Sequence, residues 1–259
     1  MKYIQAYCTD IGNRRKSNED SLALIKFDDE EGEALLTVIC DGMGGCGCGQ
    51  QAGRVVIEAF RAWIRKEISR IQDHGTDPPE LKADWKHIVE DCNRELVEQG
   101  REKGIKMGTT VTAFYFFRGK YYVVHVGDSR GYDISEKDVQ QITRDHSFLE
   151  EAVRKGTITA AQALYDRRQN LLLQCVGVTD EIEMDFYTGD IQPGHVMVLC
   201  TDGFWHRMRK DELRCSLTDR KFEDRQMLHD QLQKLTENVK RRGEPDNISI
   251  IAVVPLEGQ

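Results

Sequence analysis

No Pro-, Gly- or Ser-rich stretch that would serve as a linker interrupts the 259 residues, and no repeat period emerges along them. The chain therefore reads as one domain over 1–259. Layered β-rich folds often reach this length as a single unit with a core ample for stability. No segment approaches the roughly 18 to 20 apolar residues of a membrane span, and the opening MKYIQAYCTD lacks the apolar run of a secretory signal. A cytoplasmic protein with no membrane partner is expected. Excess positive charge is missing too. Against 44 Asp and Glu stand 36 Lys and Arg, a formal charge of −8, whereas nucleic acid or an anionic membrane calls for clustered cations on a basic surface. No basic stretch interleaved with aromatics is present either, so nucleic acid is a poor substrate as well as a poor partner.

Cysteine is not scarce, but its arrangement lacks the patterns that would give it a role. Of Cys8, Cys40, Cys46, Cys48, Cys92, Cys175, Cys200 and Cys215, several lie inside apolar, strand-like runs. Without an export signal, free thiols in a reducing compartment are expected rather than disulfides. Cys46-Gly47-Cys48 is the one pair spaced for a soft metal, yet no second Cys or His pair matches it. A Gly-rich loop that carries Cys is the simpler reading.

What the chain does have is acid at the rims of apolar runs. Asp41 in VICDGMGG, Asp128 in HVGDSR, Asp202 in VLCTDGFW and Asp246 in PDNISII each stand where such a run ends or begins. The runs read as buried strands, whose ends fix a carboxylate while it faces solvent. Carboxylates converging with few basic partners repel one another unless a cation neutralises them. The pattern points to a divalent-metal site and a metal-dependent hydrolase.

Strands are expected over 2–9, 21–27, 34–40, 109–117, 121–127, 196–201 and 248–254, with 34–40 (ALLTVIC) wholly buried. Arg118-Gly119-Lys120 reads as the three-residue loop of a hairpin. One long amphipathic helix runs from about Gln50 to Ile71, with Val56, Phe60, Trp63 and Ile64 at helical spacing. A second follows Pro78-Pro79, since Pro suits a first helical turn. Others are expected over 147–166 and from about Arg225 to Lys240. Long helices between hairpin-linked strands do not fit the strict alternation of a doubly wound parallel sheet. They suit an α+β fold, an antiparallel β-sandwich covered by helices, which gives the carboxylates a common rim.

The ordered series SNEDS (17–21), CDGMGG (40–45), GTT (108–110), VGDSR (126–130), TRDHS (143–147), CTDGFW (200–205) and DNISII (246–251) resembles the metal-dependent Ser/Thr protein phosphatase family, type 2C. The resemblance spans nearly the whole chain. Its DGMGG form and compact size are nearest to bacterial, single-domain members. It implies a four-layer α-β-β-α sandwich of two mostly antiparallel sheets flanked by helices, and two Mn²⁺ or Mg²⁺ ions with a third, weaker one. It also implies hydrolysis of phosphomonoesters by direct attack of a hydroxide held between two ions, with no phospho-enzyme. Two hard cations roughly 4 Å apart hold phosphate, lower the pKa of the water between them and offset developing charge.

By the same resemblance Asp41 bridges the ions and the Gly42 carbonyl completes one shell, while Asp202 and Asp246 hold the other ion. Glu19 and Asp20 orient ligand water, and Asn247 positions Asp246 or nearby backbone. Arg15, four residues before Glu19, grips phosphate, with Arg14 as the competitor. Asp128 is associated with the third ion, helped by Asp202; the simpler reading is a turn cap. Thr109 and Thr110 read as strand formers that support the carboxylates, and Arg130 as the partner of a nearby acid that stiffens the 128 turn.

Two departures stand out. Met43 occupies the place of a His that eukaryotic members use as general acid, so the proton comes from water or another group; His146 is the one histidine kept open. His206 stands where an Asp is common, which weakens a third ion site. The segment from about 145 to 175 matches a variable flap, whose Arg154, Lys155, Arg167 and Arg168 read as contacts for an acidic phosphopeptide or as a solvated face. The expected substrate is a phosphorylated Ser/Thr protein, with a cognate kinase as partner and a monomer as the assembly. The alternative is a pseudophosphatase, a phosphoprotein-binding module without turnover.

Overall fold

The computed structural model describes residues 1–29, 32–44, 47–168 and 171–256. Strands β1 (Lys2–Asp10), β2 (Ser21–Asp29), β3 (Gly32–Cys40) and β4 (Gly42–Met43) precede two long helices, α1 (Cys48–His74) and α2 (Pro78–Lys103). Then come β5 (Gly108–Thr109), β6 (Val111–Phe117), β7 (Lys120–Val126), β8 (Arg130–Ile134), β9 (Val139–Gln141), α3 (Phe148–Arg154) and α4 (Ala160–Ala163). The series continues with β10 (Asp185–Asp190), β11 (Val196–Cys200), α5 (Asp202–Trp205), α6 (Lys210–Thr218), α7 (Arg225–Arg241) and β12 (Ile248–Leu256).

Two five-stranded sheets, ordered β1-β12-β11-β8-β9 and β10-β7-β6-β3-β2, lie face to face, and β4 pairs with β5 beside them. Every ladder is antiparallel. The pleat sends alternate side chains of β3 to opposite faces. Ala34, Leu36, Val38 and Cys40 meet Val56, Phe60 and Ile64 of α1 and Trp85 and Leu96 of α2. Leu35 and Ile39 instead join Leu199, Ile251 and Val253 between the sheets. On the far side Ile248, Ile250 and Ala252 of β12 pack on Leu213 of α6 and Leu228, Leu232 and Leu235 of α7. The four layers α-β-β-α thus follow, and the central strands are unbroken apolar runs because both faces are covered, which antiparallel sheets often lack.

Three expectations need correction. The hairpin turn is two residues long: Arg118 and Gly119 take φ of 45° and 76°, the left-handed pair of a tight turn, and Lys120 pairs with Phe117 in the ladder. The run 109–117 is broken at Thr110, because Thr109 is drawn into pairing with Gly42 while the Thr110 N–H donates to the Asp41 carbonyl (2.9 Å). The helix over 147–166 is two short ones. Gly156 turns left-handed (φ 70°) after α3, and a Thr159–Gln162 capping box starts α4 afresh. The predicted long helix on α1 is slightly longer than expected, and α2 begins on Pro78.

Among the described residues no helix is long and apolar enough to cross a membrane, and the seven cysteines there are free thiols. Cys46, and with it the Cys46–Cys48 pair, lies outside the described residues.

Trp85 is fully buried, edge-on to Phe60 (5.7 Å) and Trp63 (5.6 Å), with its indole N–H unpartnered. Trp85→Ala should therefore cost about 3–5 kcal/mol in urea unfolding. Trp85→Phe, which keeps ring contacts and removes the orphan donor, should cost far less. Equal losses would show that ring packing is not what Trp85 contributes.

Candidate active site

Strand directions bring the acids to one rim. β3 and β7 both pair antiparallel with β6, so they run the same way and their C-terminal ends, leading to Asp41 and Asp128, share an edge. In the facing sheet β11 ends just before Asp202, and its antiparallel neighbour β12 begins just after Asp246. Asp20 precedes β2, antiparallel to β3, and joins the same edge.

The acids crowd one another. Burial, then the neighbouring Asp202, Asp20 and Asp128, lift the Asp41 carboxyl well above the usual carboxylate range, and Asp41 shares a hydrogen bond with Asp202. Burial and Asp202 likewise lift Asp128, and burial with Asp246 lifts Asp202. Burial pushes Asp20 up to about 7, against the lowering effect of the Thr201 hydroxyl that donates to it at 3.0 Å. Asp20 Oδ1 and Asp202 Oδ1 are buried without a hydrogen-bond partner. Buried acceptors are rarely left so.

Backbone holds each carboxylate in place. The Asp41 N–H donates to Thr110 Oγ1 (2.9 Å) and its carbonyl accepts from Thr109 Oγ1 (3.0 Å), so the supporting role read for these threonines has a physical form. A Cβ on Gly42 would stand 2.3 Å from the Gly49 backbone and 2.6 Å from the Glu19 carbonyl, so only Gly fits where the 42 turn meets the start of α1. Glu19 Oε1 accepts the Gly47 N–H (3.1 Å) at that helix start. Asn247 stitches the 11–19 loop to β12: its Oδ1 accepts the Glu19 N–H (2.9 Å), and its Nδ2 donates to the carbonyls of Ile11 (2.9 Å) and Ser17 (3.0 Å).

Arg15, not Arg14, reaches the acids: its Nη2 donates to Asp246 Oδ2 at 2.6 Å from a largely exposed position. Arg130 pairs with Asp145 (2.6 Å), and its guanidinium carbon lies 3.4 Å over the ring of Trp205, whose indole N–H donates to the Asp128 carbonyl (2.9 Å). His206 Nδ1 stands 3.9 Å from Asp202 Oδ2. His146 is elsewhere, its ring between the Gly127 N–H (3.3 Å) and Asp185 (3.3 Å). Two participants escaped the sequence reading. Thr201 supplies the hydroxyl to Asp20, and buried Glu244 accepts the Asp246 N–H (3.2 Å). Thr201 lay inside a motif already noted, whereas Glu244 sits in an irregular loop with no periodic signal.

The donor set fits hard divalent cations. It consists of carboxylate and carbonyl oxygens, with two acceptors orphaned and several acids holding protons that a cation would displace. Among the described residues no three His, Cys, Asp or Glu side chains close around one point. Ions here would complete their shells with water, as Mg²⁺ habitually does. One cleft of about 750 Å³ lies between α1 and α2, while another of about 690 Å³ has Asp246, His206 and Trp205 in its wall. Asp246 puts the second beside the acidic rim.

The profile of the protein phosphatase 2C family matches residues 13–245. A putative protein phosphatase 2C-type protein of Streptococcus pyogenes is 28% identical over 95% of this chain and 94% of its own length. The serine/threonine phosphatase stp of Listeria monocytogenes is 27% identical over 95% and 93%. The Streptococcus agalactiae serine/threonine phosphatase superposes with a TM-score of 0.84 at 27% identity, covering 98% of this chain and 100% of that one. The catalytic domain of PstP, solved with two manganese ions, gives 0.76 at 26%, covering 98% and 100%.

Fold, acidic rim and matches define a metal-dependent phosphoprotein phosphatase, a phosphoric monoester hydrolase. The chain belongs to the protein phosphatase 2C family and acts on phosphorylated serine and threonine.

In an unfolded chain an Asp titrates near 4, whereas the folded, metal-free protein holds the Asp20 proton to about 7. The folded state then binds the extra proton across that window, so this group's contribution to stability falls as pH rises through it. Without metal, Asp20→Asn should raise Tm relative to wild type more at pH 7.5 than at pH 5.0 in calorimetry. A pH-independent difference, or a larger one at pH 5.0, would contradict the shift.

Proposed function

We propose that Asp41, Asp202 and Asp246, with the Gly42 carbonyl, hold two Mn²⁺ or Mg²⁺ ions, and that Asp128 with Asp202 takes a weaker third. The orphaned Asp202 Oδ1 and the raised pKa values of Asp41, Asp128 and Asp202, buried side by side, carry the reading. When bound, such ions offset the charge of a phosphate dianion and make water a nucleophile at neutral pH. Glu19 and Asp20 orient water around them, and Asn247 fixes the loop that carries both Glu19 and Arg15. Arg15 grips the phosphate through two parallel hydrogen bonds, which Lys cannot reproduce. It stands at the mouth of the acidic rim, anchored to Asp246. Met43 offers no proton, and both ring nitrogens of His146 are engaged, which leaves water or another group to protonate the leaving alkoxide.

The reading further takes 1–259 as one catalytic domain with a flap over about 145–175, cytoplasmic and monomeric, acting against a cognate kinase. Apolar clusters between the two sheets and on the outer face of each support a single unit. Of the four flap cations, Arg154 and Lys155 pair with Glu151 (2.6 and 3.1 Å) and Arg168 with Asp166 (2.6 Å). That leaves Arg167 as the candidate contact for an acidic phosphopeptide. A binding module without turnover, the alternative, gives no reason to keep strained carboxylates together.

Phosphate release from a phosphothreonine peptide should require added Mn²⁺ or Mg²⁺ and vanish in Asp41→Asn, with no loss of Tm. Full turnover in excess chelator would overturn the two-ion reading. Arg15→Ala should raise KM about tenfold or more, given 1.5–3 kcal/mol for a charge-assisted contact, while Arg14→Ala changes it little. Equal effects would assign the phosphate to neither.

A further inference from the structure

The two peptide groups that flank Gly127, the residue before Asp128, are each gripped by histidine. The Gly127 carbonyl accepts from His125 Nε2 (3.0 Å) and from the His146 backbone N–H (2.6 Å), while the Gly127 N–H donates to His146 Nδ1 (3.3 Å). The rings lie tilted at 54° to each other with centroids 4.9 Å apart. These contacts settle both tautomers. A carbonyl can only accept, so His125 carries its proton on Nε2, and its Nδ1 accepts from the Thr112 hydroxyl (2.9 Å). His146 accepts at Nδ1, so its proton is on Nε2, facing Asp185 Oδ2 at 3.3 Å. Asp185 is in turn held by the Tyr187 hydroxyl (2.6 Å).

Gly127 needs such a grip. Its φ of 113° is one that L side chains rarely adopt, and a Cβ there would stand 2.5 Å from Thr110 Cγ2. A glycine is free to leave that conformation, and a rotation of its peptide would swing Asp128 off the rim. The other side of Asp128 is tied as well: Ser129 Oγ is 2.8 Å from Thr110 Oγ1, the oxygen that accepts the Asp41 N–H. One buried polar chain therefore runs from the Asp41 backbone through Thr110 and Ser129 past Asp128 to Gly127 and both imidazoles.

We propose that His125 and His146 are positioning residues for phosphoester hydrolysis, clamping the backbone on both sides of Gly127 so that the Asp128 carboxylate stays turned toward Asp202 and Asp41. The proposal rests on the reading of Asp128 as an ion ligand. It differs from a plain packing role in depending on the donor at His125 Nε2 and the acceptor at His146 Nδ1 rather than on ring volume. His125→Gln keeps a donor near the Nε2 position and His125→Leu does not; His146→Asn keeps an acceptor near Nδ1 and His146→Leu does not.

The test measures phosphothreonine-peptide kinetics against Mn²⁺ concentration, with Asp128→Asn as reference, and in parallel the hydrogen exchange of the Gly127 amide in metal-free protein by NMR. His125→Leu should lower kcat about tenfold or more with KM within about twofold, and raise the Mn²⁺ concentration for half-maximal turnover, as Asp128→Asn does. His125→Gln should restore kcat to within about threefold of wild type. Gly127 exchange should quicken by at least about tenfold in His146→Leu and stay near wild type in His146→Asn. If His125→Leu does not fold, His125→Phe, nearer in shape and equally without a donor, takes its place. Equal losses in His125→Gln and His125→Leu, or a kcat per folded molecule that His125→Leu leaves unchanged while Asp128→Asn lowers it, would overturn the clamp. An Asp128→Asn protein with wild-type kcat and metal requirement would instead overturn the reading of Asp128, and the clamp with it.

Discussion

Like charges held at a buried rim are the constraint on which the rest of this molecule depends. Two carboxylates 4 Å apart repel by about 4 kcal/mol at the dielectric typical of a protein surface, and here, in addition to the effect of burial, Asp202 raises the pKa values of Asp20, Asp41 and Asp128, and Asp246 raises that of Asp202. Left to relax, such groups would move apart or protonate. The frame does not let them move: Asp41 is tied through its backbone to Thr109 and Thr110, and Asp202 opens a helical turn that begins where a buried strand ends. Repulsion stored in this way is what a divalent cation relieves.

Topology supplies the stiffness. With every ladder antiparallel, strand ends alternate between two rims, and the pairings of β3, β6 and β7 on one side and β11 and β12 on the other select the rim on which the acids meet. Close backbone approaches then leave no slack. A Cβ on Gly203 would stand 2.0 Å from the Asn247 carbonyl, and one on Gly12 would stand 2.0 Å from that of Asp246. The loop bearing Arg15 is pinned to the same strand end through Asn247, so the cation is delivered beside Asp246 by backbone contacts rather than by its own flexible stem.

What the sequence revealed tracks how each element is buried. β3, β6 and β12 were legible because both faces are covered, which turns them into unbroken apolar runs. The short strands β8 and β10 were not, since they carry Arg130, Asp133, Asp185 and Asp190 among their few residues. Two short helices stood where one was expected because Gly156 and Thr159 act locally as a stop and a start, against an apolar spacing that runs through both. At the site, acids at strand ends announce themselves, whereas Thr201, Glu244 and the imidazoles beside Gly127 act through single hydrogen bonds to backbone or to a neighbouring carboxylate. Such contacts have no periodicity and leave no mark on a linear pattern. The flap arginines were ambiguous for the opposite reason, since exposed charge looks the same whether it meets a substrate or, as Arg154 and Arg168 do, a neighbour on the same segment.

If the acids keep protons only because no cation is present, metal binding must expel them. Calorimetric titration of Mn²⁺ into metal-free protein at pH 6.5, in two buffers of different ionisation enthalpy, counts those protons directly. Release of at least about one proton per protein molecule, shrinking as the pH is raised and shrinking again in Asp20→Asn, is the result this account predicts. Tight Mn²⁺ binding with no proton release would mean that the acids are already ionised and unstrained, and would contradict it.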